Sequence, residues 1–125
     1  MQRIININYI CIIGLFLYLY LFIIYYHHIP GLVYINGILY HTNTKSILFR
    51  YNDIITNIIL STYCNIMNNN CIYWSSVGVI GYITNEFGIQ NYVTPNKHVN
   101  QILHVLMVHI PFFIAMIIYL DGLIN

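Results

Sequence analysis

Two histidines, His41 and His104, are the side chains in this sequence best suited to holding a metal ion. His41 ends one apolar stretch and His104 lies near the start of the last one, with Asp53 as a third participant. Neutral imidazole is a good ligand for zinc, which takes three protein ligands and keeps an open position for water when it is catalytic. His98 and His109 are the substitutes.

The same histidines have a second interpretation, in which each packs between helices and donates a hydrogen bond. His104 and His109 are about 140° apart on a helical wheel, so a regular α-helix would not present both on one face. Pro111 is expected to kink this helix and to free backbone carbonyls near the histidines. Metal binding and helix packing therefore both stay open at this point.

Asp53 also begins a polar stripe. Asn57 and Ser61 follow it at four-residue intervals, which places the three side chains along one side of a helix. An ionisable side chain is costly in hydrocarbon and normally faces the interior of a bundle or water. The stripe is therefore expected to face protein or water.

The composition indicates a protein of the lipid bilayer. Of the 125 residues, 59% are hydrophobic and 6% are charged, against about 25% charged residues in typical soluble domains. The mean hydropathy is +0.70, and the length suits a single domain over residues 1–125. A net charge of +1 leaves too few cations to follow phosphates, so nucleic acid is not an expected partner. The abundance of Ile, Asn and Tyr indicates an AT-rich genome.

Four apolar stretches predict an all-α fold, a small multi-pass transmembrane helical bundle of about four helices. The predicted crossings are residues 9–26, 51–67, 71–84 and 101–120. The first is uncharged, has tyrosines at both ends and corresponds to about 27 Å of helix. The second is long enough to cross only if Phe49 to Asn52 are also helical. The chain is therefore predicted to be an integral protein of a membrane.

The segments between these crossings are predicted as turns and loops. Pro30 and Gly31 are expected to end the first helix. Residues 31–40 are too short to span a bilayer and are expected to be re-entrant or interfacial. Asn68 to Asn70 predict the turn of a helical hairpin, and the polar residues 86–100 predict a loop.

Three cysteines, Cys11, Cys64 and Cys71, lie in or beside apolar stretches and form no CxxC pair. We expect buried thiols. The alternatives are metal ligation or a disulfide between Cys64 and Cys71 across the tight turn.

Gly37 to Asp53, GILYHTNTKSILFRYND, and Asn100 to Val108, NQILHVLMV, are two segments that resemble a known family. The first is similar to the region around the second and third helices of the CREST membrane hydrolases, which include alkaline ceramidases and the adiponectin and progestin receptors. There a histidine ends one helix and an aspartate begins the next. The second segment resembles the histidine-bearing last helix of the receptor branch. Both occur in the expected order and cover roughly a fifth of the chain.

This resemblance implies that His41 and His104 hold zinc and that Asp53 orients a water molecule that hydrolyses an amide in a lipid. The other histidine of the family's last helix corresponds to Asn100 in this chain. His98 is then the candidate for the missing ligand. The family has seven helices, so this chain would be a reduced form.

Two classes of function follow. A structural or accessory role in a membrane assembly requires only the lipid bilayer and other membrane protein chains as partners, because another chain can satisfy an intramembrane carboxylate. The alternative is a reduced CREST-like, zinc-dependent membrane amide hydrolase. Haem held by His104 or His109 together with a histidine of another chain is a third interpretation. The sequence contains no Ser-His-Asp set, glycine-rich phosphate loop or CxxCH haem signature.

Overall fold

Five helices make up the part of the chain that the structure describes, residues 7–93 and 96–124 of this computed structural model. They are α1 (Tyr9–Tyr25), α2 (His28–Thr42), α3 (Ile47–Met67), α4 (Ile72–Ile83) and α5 (Lys97–Ile124). The described fold is therefore all-helical, as predicted, with one helix more than the sequence indicates.

The additional helix is α2, where the sequence predicts a short re-entrant or interfacial piece. α1 ends at Tyr25, and its cap Tyr26 adopts a left-handed conformation with φ 51° and ψ 35°. After this reversal α2 runs back along α1, so that the backbone N–H of Asn8 donates to the carbonyl of His41 at 2.9 Å. Pro30 does not end α1 but lies in the first turn of α2, where the N–H that it lacks would have no partner within the helix.

The predicted hairpin is formed by α3 and α4. Ser46 caps α3, its hydroxyl oxygen accepting from the backbone N–H of Phe49 at 3.2 Å. Because α3 begins this early it has 21 residues, about 31 Å, and Phe49 to Asn52 are helical. Asn68 shapes the turn, its side-chain oxygen accepting from the N–H of Asn70 at 3.1 Å.

The prediction of a loop over residues 86–100 is wrong for most of its length. α4 continues as a π-helical segment, Thr84–Val93, and α5 already begins at Lys97, capped by the Asn96 side chain. Burial inside the bundle accounts for part of the polarity in this region, since Asn85, just before the stretch, is fully buried. Asn100 is also buried, whereas Asn96, Lys97 and His98 are exposed.

α5 is long and apolar enough to cross a membrane. It has 28 residues, and its apolar window has a mean hydropathy of 2.2. α1 is also apolar but has 17 residues, short of the roughly 20 that a bilayer core requires. Within residues 7–93 and 96–124, α5 is the one helix that meets both criteria, so it supports a location in a membrane.

Pro111 interrupts α5 with a π turn. Residues Val105–His109 form this turn, and the N–H of Ile110 donates to the carbonyl five residues earlier. Proline has no N–H and its ring clashes with the carbonyl four residues earlier, here that of Met107, so the regular α-helical pattern cannot continue. The carbonyl of Met107 instead faces Gly81 of α4, where a Cβ atom would collide with it.

The bundle has two distinct ends. At the core end, the Tyr25 hydroxyl donates to Asp121 at 2.6 Å, and the Asn68 amide donates to the Ile118 carbonyl at 3.3 Å. At the polar end, the first turns of α1, α3 and α5 meet the last turns of α2 and α4. The apolar core lies near the core end and consists of Leu21, Ile29, Cys64, Cys71, Ala115, Met116, Tyr119 and Leu120.

The contact between Gly81 and Met107 gives a stability prediction. Gly81→Ala is expected to lower the free energy of unfolding by about 1–3 kcal/mol, because the new methyl group has to displace backbone. Gly88→Ala is the matched control, since a Cβ at Gly88 meets nothing within 4 Å. Thermal unfolding followed by circular dichroism in detergent measures both. Equal stability of the two variants would contradict the close approach of α4 and α5.

Candidate metal centre

A cavity of about 360 Å³ lies at the polar end of the bundle. All five helices contribute to its wall, because their first or last turns converge there. It therefore brings together three residues that the sequence analysis singles out. The side chains in its wall that can do chemistry include Cys11, His41, Arg50, Asp53, Tyr82, Glu86, Gln101 and His104.

Cys11, His41 and His104 form a compact group in this wall. One ligand atom from each, the thiol sulfur and one ring nitrogen per histidine, lies within 4.8 Å of the other two. Cys11 is 2% exposed and His41 is 3% exposed, and the two imidazole centroids are 5.6 Å apart. Sulfur together with imidazole nitrogen suits zinc and other thiophilic metals. The three residues are therefore a candidate metal centre.

Asn8 positions His41. Its backbone N–H donates to the His41 carbonyl at 2.9 Å, and its side-chain amide lies 3.4 Å from Nδ1 of the His41 ring. The residue that precedes α1 thus contacts both the backbone and the ring of the last turn of α2. The two contacts together restrain the His41 ring.

Gln101 holds the first turn of α1 against α5. The first N–H groups of a helix have no partner within the helix, and the buried side-chain oxygen of Gln101 accepts from the N–H of Ile10 at 3.0 Å. Cys11 is the next residue of α1, and His104 lies about one turn beyond Gln101 in α5. The hydrogen bond therefore sets the distance between these two candidate ligands.

His109 lies beside the group, contrary to the expectation that it could not share a face with His104. The two ring centroids are 4.8 Å apart, and His109 is 5.8 Å from His41. The reason is the π turn, in which five residues rather than four complete the repeat. Nδ1 of His109 is buried without a hydrogen-bond partner and lies where Gly14 has no side chain, 2.6 Å from the position of a Cβ there.

Asp53 lines the same cavity but stands outside the group of three. Its polar stripe is oriented as predicted, because Asp53, Asn57 and Ser61 are all partly buried. The Asn57 amide donates to the Asp53 carboxylate at 3.2 Å. Asp53 is therefore placed to act on a molecule in the cavity rather than to bind the metal with the other three.

His98 does not belong to the group. It is exposed in the first turn of α5, and its backbone N–H donates to the Asn96 side chain at 3.0 Å. The position that the sequence analysis assigns to His98 as a metal ligand is taken in this geometry by Cys11.

Arg50 and Glu86 form an ion pair in the wall of the cavity. Arg50 of α3 lies 3.8 Å from Glu86 and donates a hydrogen bond to Tyr82. Burial raises the pKa of Glu86, and the Arg50 cation opposes this shift. The wall of the cavity therefore carries both signs of charge.

Cys11 and His109 are named from the sequence only as alternatives for a metal site. From the sequence, Cys11 is expected to be an ordinary buried thiol. However, Cys11 and His41 are about equally far along the chain from the α1–α2 connection. Antiparallel packing of the two helices therefore places them side by side. For His109 the available signal is Pro111, because a proline two residues later favours an irregular turn.

The burial of Glu86 gives a prediction of pH dependence. A raised pKa means that the folded state binds more protons than the unfolded state above the usual glutamate pKa of 4.5. The free energy of unfolding is therefore expected to fall as the pH rises through the interval between the two pKa values. Glu86→Gln should flatten this slope and Arg50→Gln should steepen it, as measured by thermal unfolding from pH 4 to pH 8. Identical slopes in all three proteins would contradict the burial of the carboxyl group.

Comparison of this chain with protein-family models, with curated proteins and with solved structures found no match. The resemblance to the CREST hydrolases therefore stays a prediction that rests on two segments. What the chain does has to be inferred from its surface and from the residues of the candidate metal centre.

Proposed function

We propose that this chain is a small multi-pass membrane protein with a structural or accessory role in a membrane assembly. The observation that carries the proposal is α3, a 21-residue helix in which Cys64 is the one buried residue. Its outer face presents Ile55, Ile58 and Ile59, which are 54%, 58% and 61% exposed. Such a face is normally covered by lipid or by another chain.

The inner side of α3 is polar. Asn57 donates to Asp53 at 3.2 Å, and Ser75 of α4 donates to the side-chain oxygen of Asn65 at 2.9 Å. In water the opposite arrangement would be favoured, with polar groups outside. A helix with an apolar outer face and hydrogen-bonded polar side chains on its inner side suits hydrocarbon as the solvent, although the side-chain oxygen of Asn57 is buried without a partner among the described residues.

The exposed apolar surface continues around the other helices. We call it the apolar belt. It is made of large apolar side chains that are substantially exposed. Its members outside α3 include Ile13, Phe16, Ile23, Ile24, Val79, Ile80 and Leu106. A belt of this extent supports insertion of several helices, and not of α5 alone.

The positive charges support one orientation. Lys45, Arg50 and Lys97 lie at the polar end, whereas the described part of the core end carries Asp121 and no lysine or arginine. Positively charged loops favour the cytoplasmic side of a membrane. The cavity is therefore proposed to open toward the cytoplasm.

Single-cysteine labelling tests this topology. Thr44→Cys and Lys97→Cys are expected to react with an impermeant maleimide from one side of the membrane, and Asn69→Cys from the other. The three native cysteines are buried, so they should contribute little background. Labelling of Asn69→Cys from the same side as Thr44→Cys would exclude a transmembrane hairpin of α3 and α4.

The accessory role predicts a partner chain that packs on α3. Protein purified in a mild detergent from its native membrane is expected to carry another membrane protein. Ile59→Trp, which changes only the shape of the outer face of α3, should reduce the recovered partner about tenfold or more, in line with a contact worth over 1.4 kcal/mol. Ile13→Trp on the exposed face of α1 is the control. Monomeric protein with no co-purifying chain would count against the role.

The cavity favours a second candidate function, a zinc-dependent membrane amide hydrolase. The supporting observation is that His41, Asp53 and His104 line one cavity, as the two segments similar to CREST hydrolases would require. Zinc would polarise the amide and activate water. Asp53 is positioned to orient that water, since its carboxylate lies in the cavity wall outside the candidate ligand group.

This candidate predicts release of fatty acid from an amide-linked lipid by the purified, zinc-supplemented chain. Asp53→Asn is expected to lower the rate at least 100-fold, because positioned acid–base groups typically contribute that much. Ser61→Ala, further along the same stripe, is the matched control. A rate that is unaffected by Asp53→Asn would exclude the proposed role of this carboxylate.

A further inference from the structure

Three helices meet at one point in the cavity wall, where they bring together one thiol sulfur and two imidazole nitrogens. We infer that Cys11, His41 and His104 bind a single zinc ion whose fourth coordination position opens into the cavity. The site goes beyond the accessory role, which does not require it. The hydrolase candidate does require a metal, so the tests below are made on binding and not on activity.

The distances suit a tetrahedral ion. Zinc binds sulfur at about 2.3 Å and imidazole nitrogen at about 2.0–2.1 Å, so neighbouring ligand atoms in a tetrahedral site with one sulfur and two nitrogens are about 3.3–3.6 Å apart. The three atoms of this chain already lie within 4.8 Å of one another. Closing the site requires contractions of up to about 1.5 Å, which side-chain rotations can supply without moving a helix.

The kind of ligand atom determines which metal ions the site would bind. Calcium and magnesium take oxygen ligands, whereas one sulfur with two nitrogens favours zinc and other thiophilic cations. Binding forms three coordinate bonds to the chain and displaces the thiol proton of Cys11 to solvent, with no change of oxidation state.

The ligands are held before any metal arrives. Asn8 contacts Nδ1 of His41, and rotation of its amide would offer the oxygen to the ring proton once Nε2 binds the ion. His109 packs edge-on against His104, with an angle of 77° between the ring planes, and at 62° to His41. These contacts limit the rotations of both imidazoles.

The fourth position faces open space. With three protein ligands a tetrahedral zinc ion keeps one site for water or another small molecule. Cys11, His41 and His104 all belong to the wall of the 360 Å³ cavity, which Asp53 and Glu86 also line. The bound ion would therefore be accessible from the cavity and would have carboxyl groups close by.

Cobalt(II) provides the readout, because it occupies tetrahedral sites like those of zinc and absorbs light. Titration of the full-length chain in detergent with cobalt chloride is expected to end at about one ion per chain. Visible d–d bands and a near-ultraviolet sulfur-to-cobalt charge-transfer band should appear, and zinc should remove both. A wild-type titration without these bands would overturn the site.

Two pairs of variants locate the site. Cys11→Ser should abolish the charge-transfer band, whereas Cys64→Ser, at a buried thiol near the core end, should retain it. His104→Ala should weaken cobalt binding by more than about 100-fold, since loss of an outer-shell partner alone costs 10- to 100-fold. His28→Ala, at an exposed histidine near the core end, should leave the affinity unchanged. The reverse pattern in either pair would overturn the assignment.

A further measurement needs no variant and so does not depend on whether a variant folds. X-ray absorption by the zinc complex of the wild-type chain should show one sulfur at about 2.3 Å and nitrogen at about 2.0–2.1 Å. Scattering from nitrogen and oxygen alone would exclude Cys11 as a ligand. If the chain binds no metal but still co-purifies with a partner, the site is excluded and the accessory role is retained. If it binds metal but has no partner, the accessory role is excluded and the site is retained.

Azide tests the open position. Added to the cobalt-loaded chain, azide is expected to shift the visible bands, because it replaces the solvent ligand at the fourth position. Asn8→Ala should retain this response while binding cobalt about 10- to 100-fold more weakly, as expected for a residue that orients a ligand. Bands that do not change with azide would show that a protein side chain closes the site and would overturn the open position.

Discussion

The antiparallel packing of α1 and α2 is the constraint on which the polar end of this protein depends. The two helices are joined by Tyr26 and His27, and the left-handed conformation of Tyr26 reverses the chain within that length. A Cβ at Gly37 would lie 2.6 Å from the Leu15 side chain, so this glycine permits the close approach. With the helices in contact along their length, the start of α1 has to meet the end of α2, and Cys11 comes to lie opposite His41.

The third side of the site depends on an irregularity in α5. A regular helix would send His104 and His109 in different directions, and Pro111 makes a regular helix impossible at this point. The π turn that results brings both histidines toward α1 and α2 and directs the Met107 carbonyl at Gly81 of α4. One residue without an N–H thus sets the packing of α5 against its neighbours on two sides.

The sequence predicts those parts of the structure that follow from local patterns. The apolar runs identify α1, the α3–α4 hairpin and α5, and four-residue spacing identifies the partly buried stripe that begins at Asp53. The sequence does not predict α2 as a helix, because its apolar run is short and contains proline and glycine. Packing against α1 decides its conformation. Cys11 and His109 are only alternatives at the level of the sequence, because the position of Cys11 depends on a contact between helices and that of His109 on a departure from helical periodicity.

The division of the bundle into two ends explains how a small chain can hold an open polar cavity. The apolar core, which includes Tyr119, lies near the core end, where α1, α3 and α5 pack together. The polar end contributes less apolar burial, and its helices are held instead by hydrogen bonds between helix ends, such as those from Asn8 and Ile10. Such bonds are worth more in surroundings that exclude water, because the unpaired groups would be costly there. Cohesion supplied by the core end therefore leaves the polar end free to keep unfilled space beside Cys11, His41 and His104, which a close-packed core could not provide.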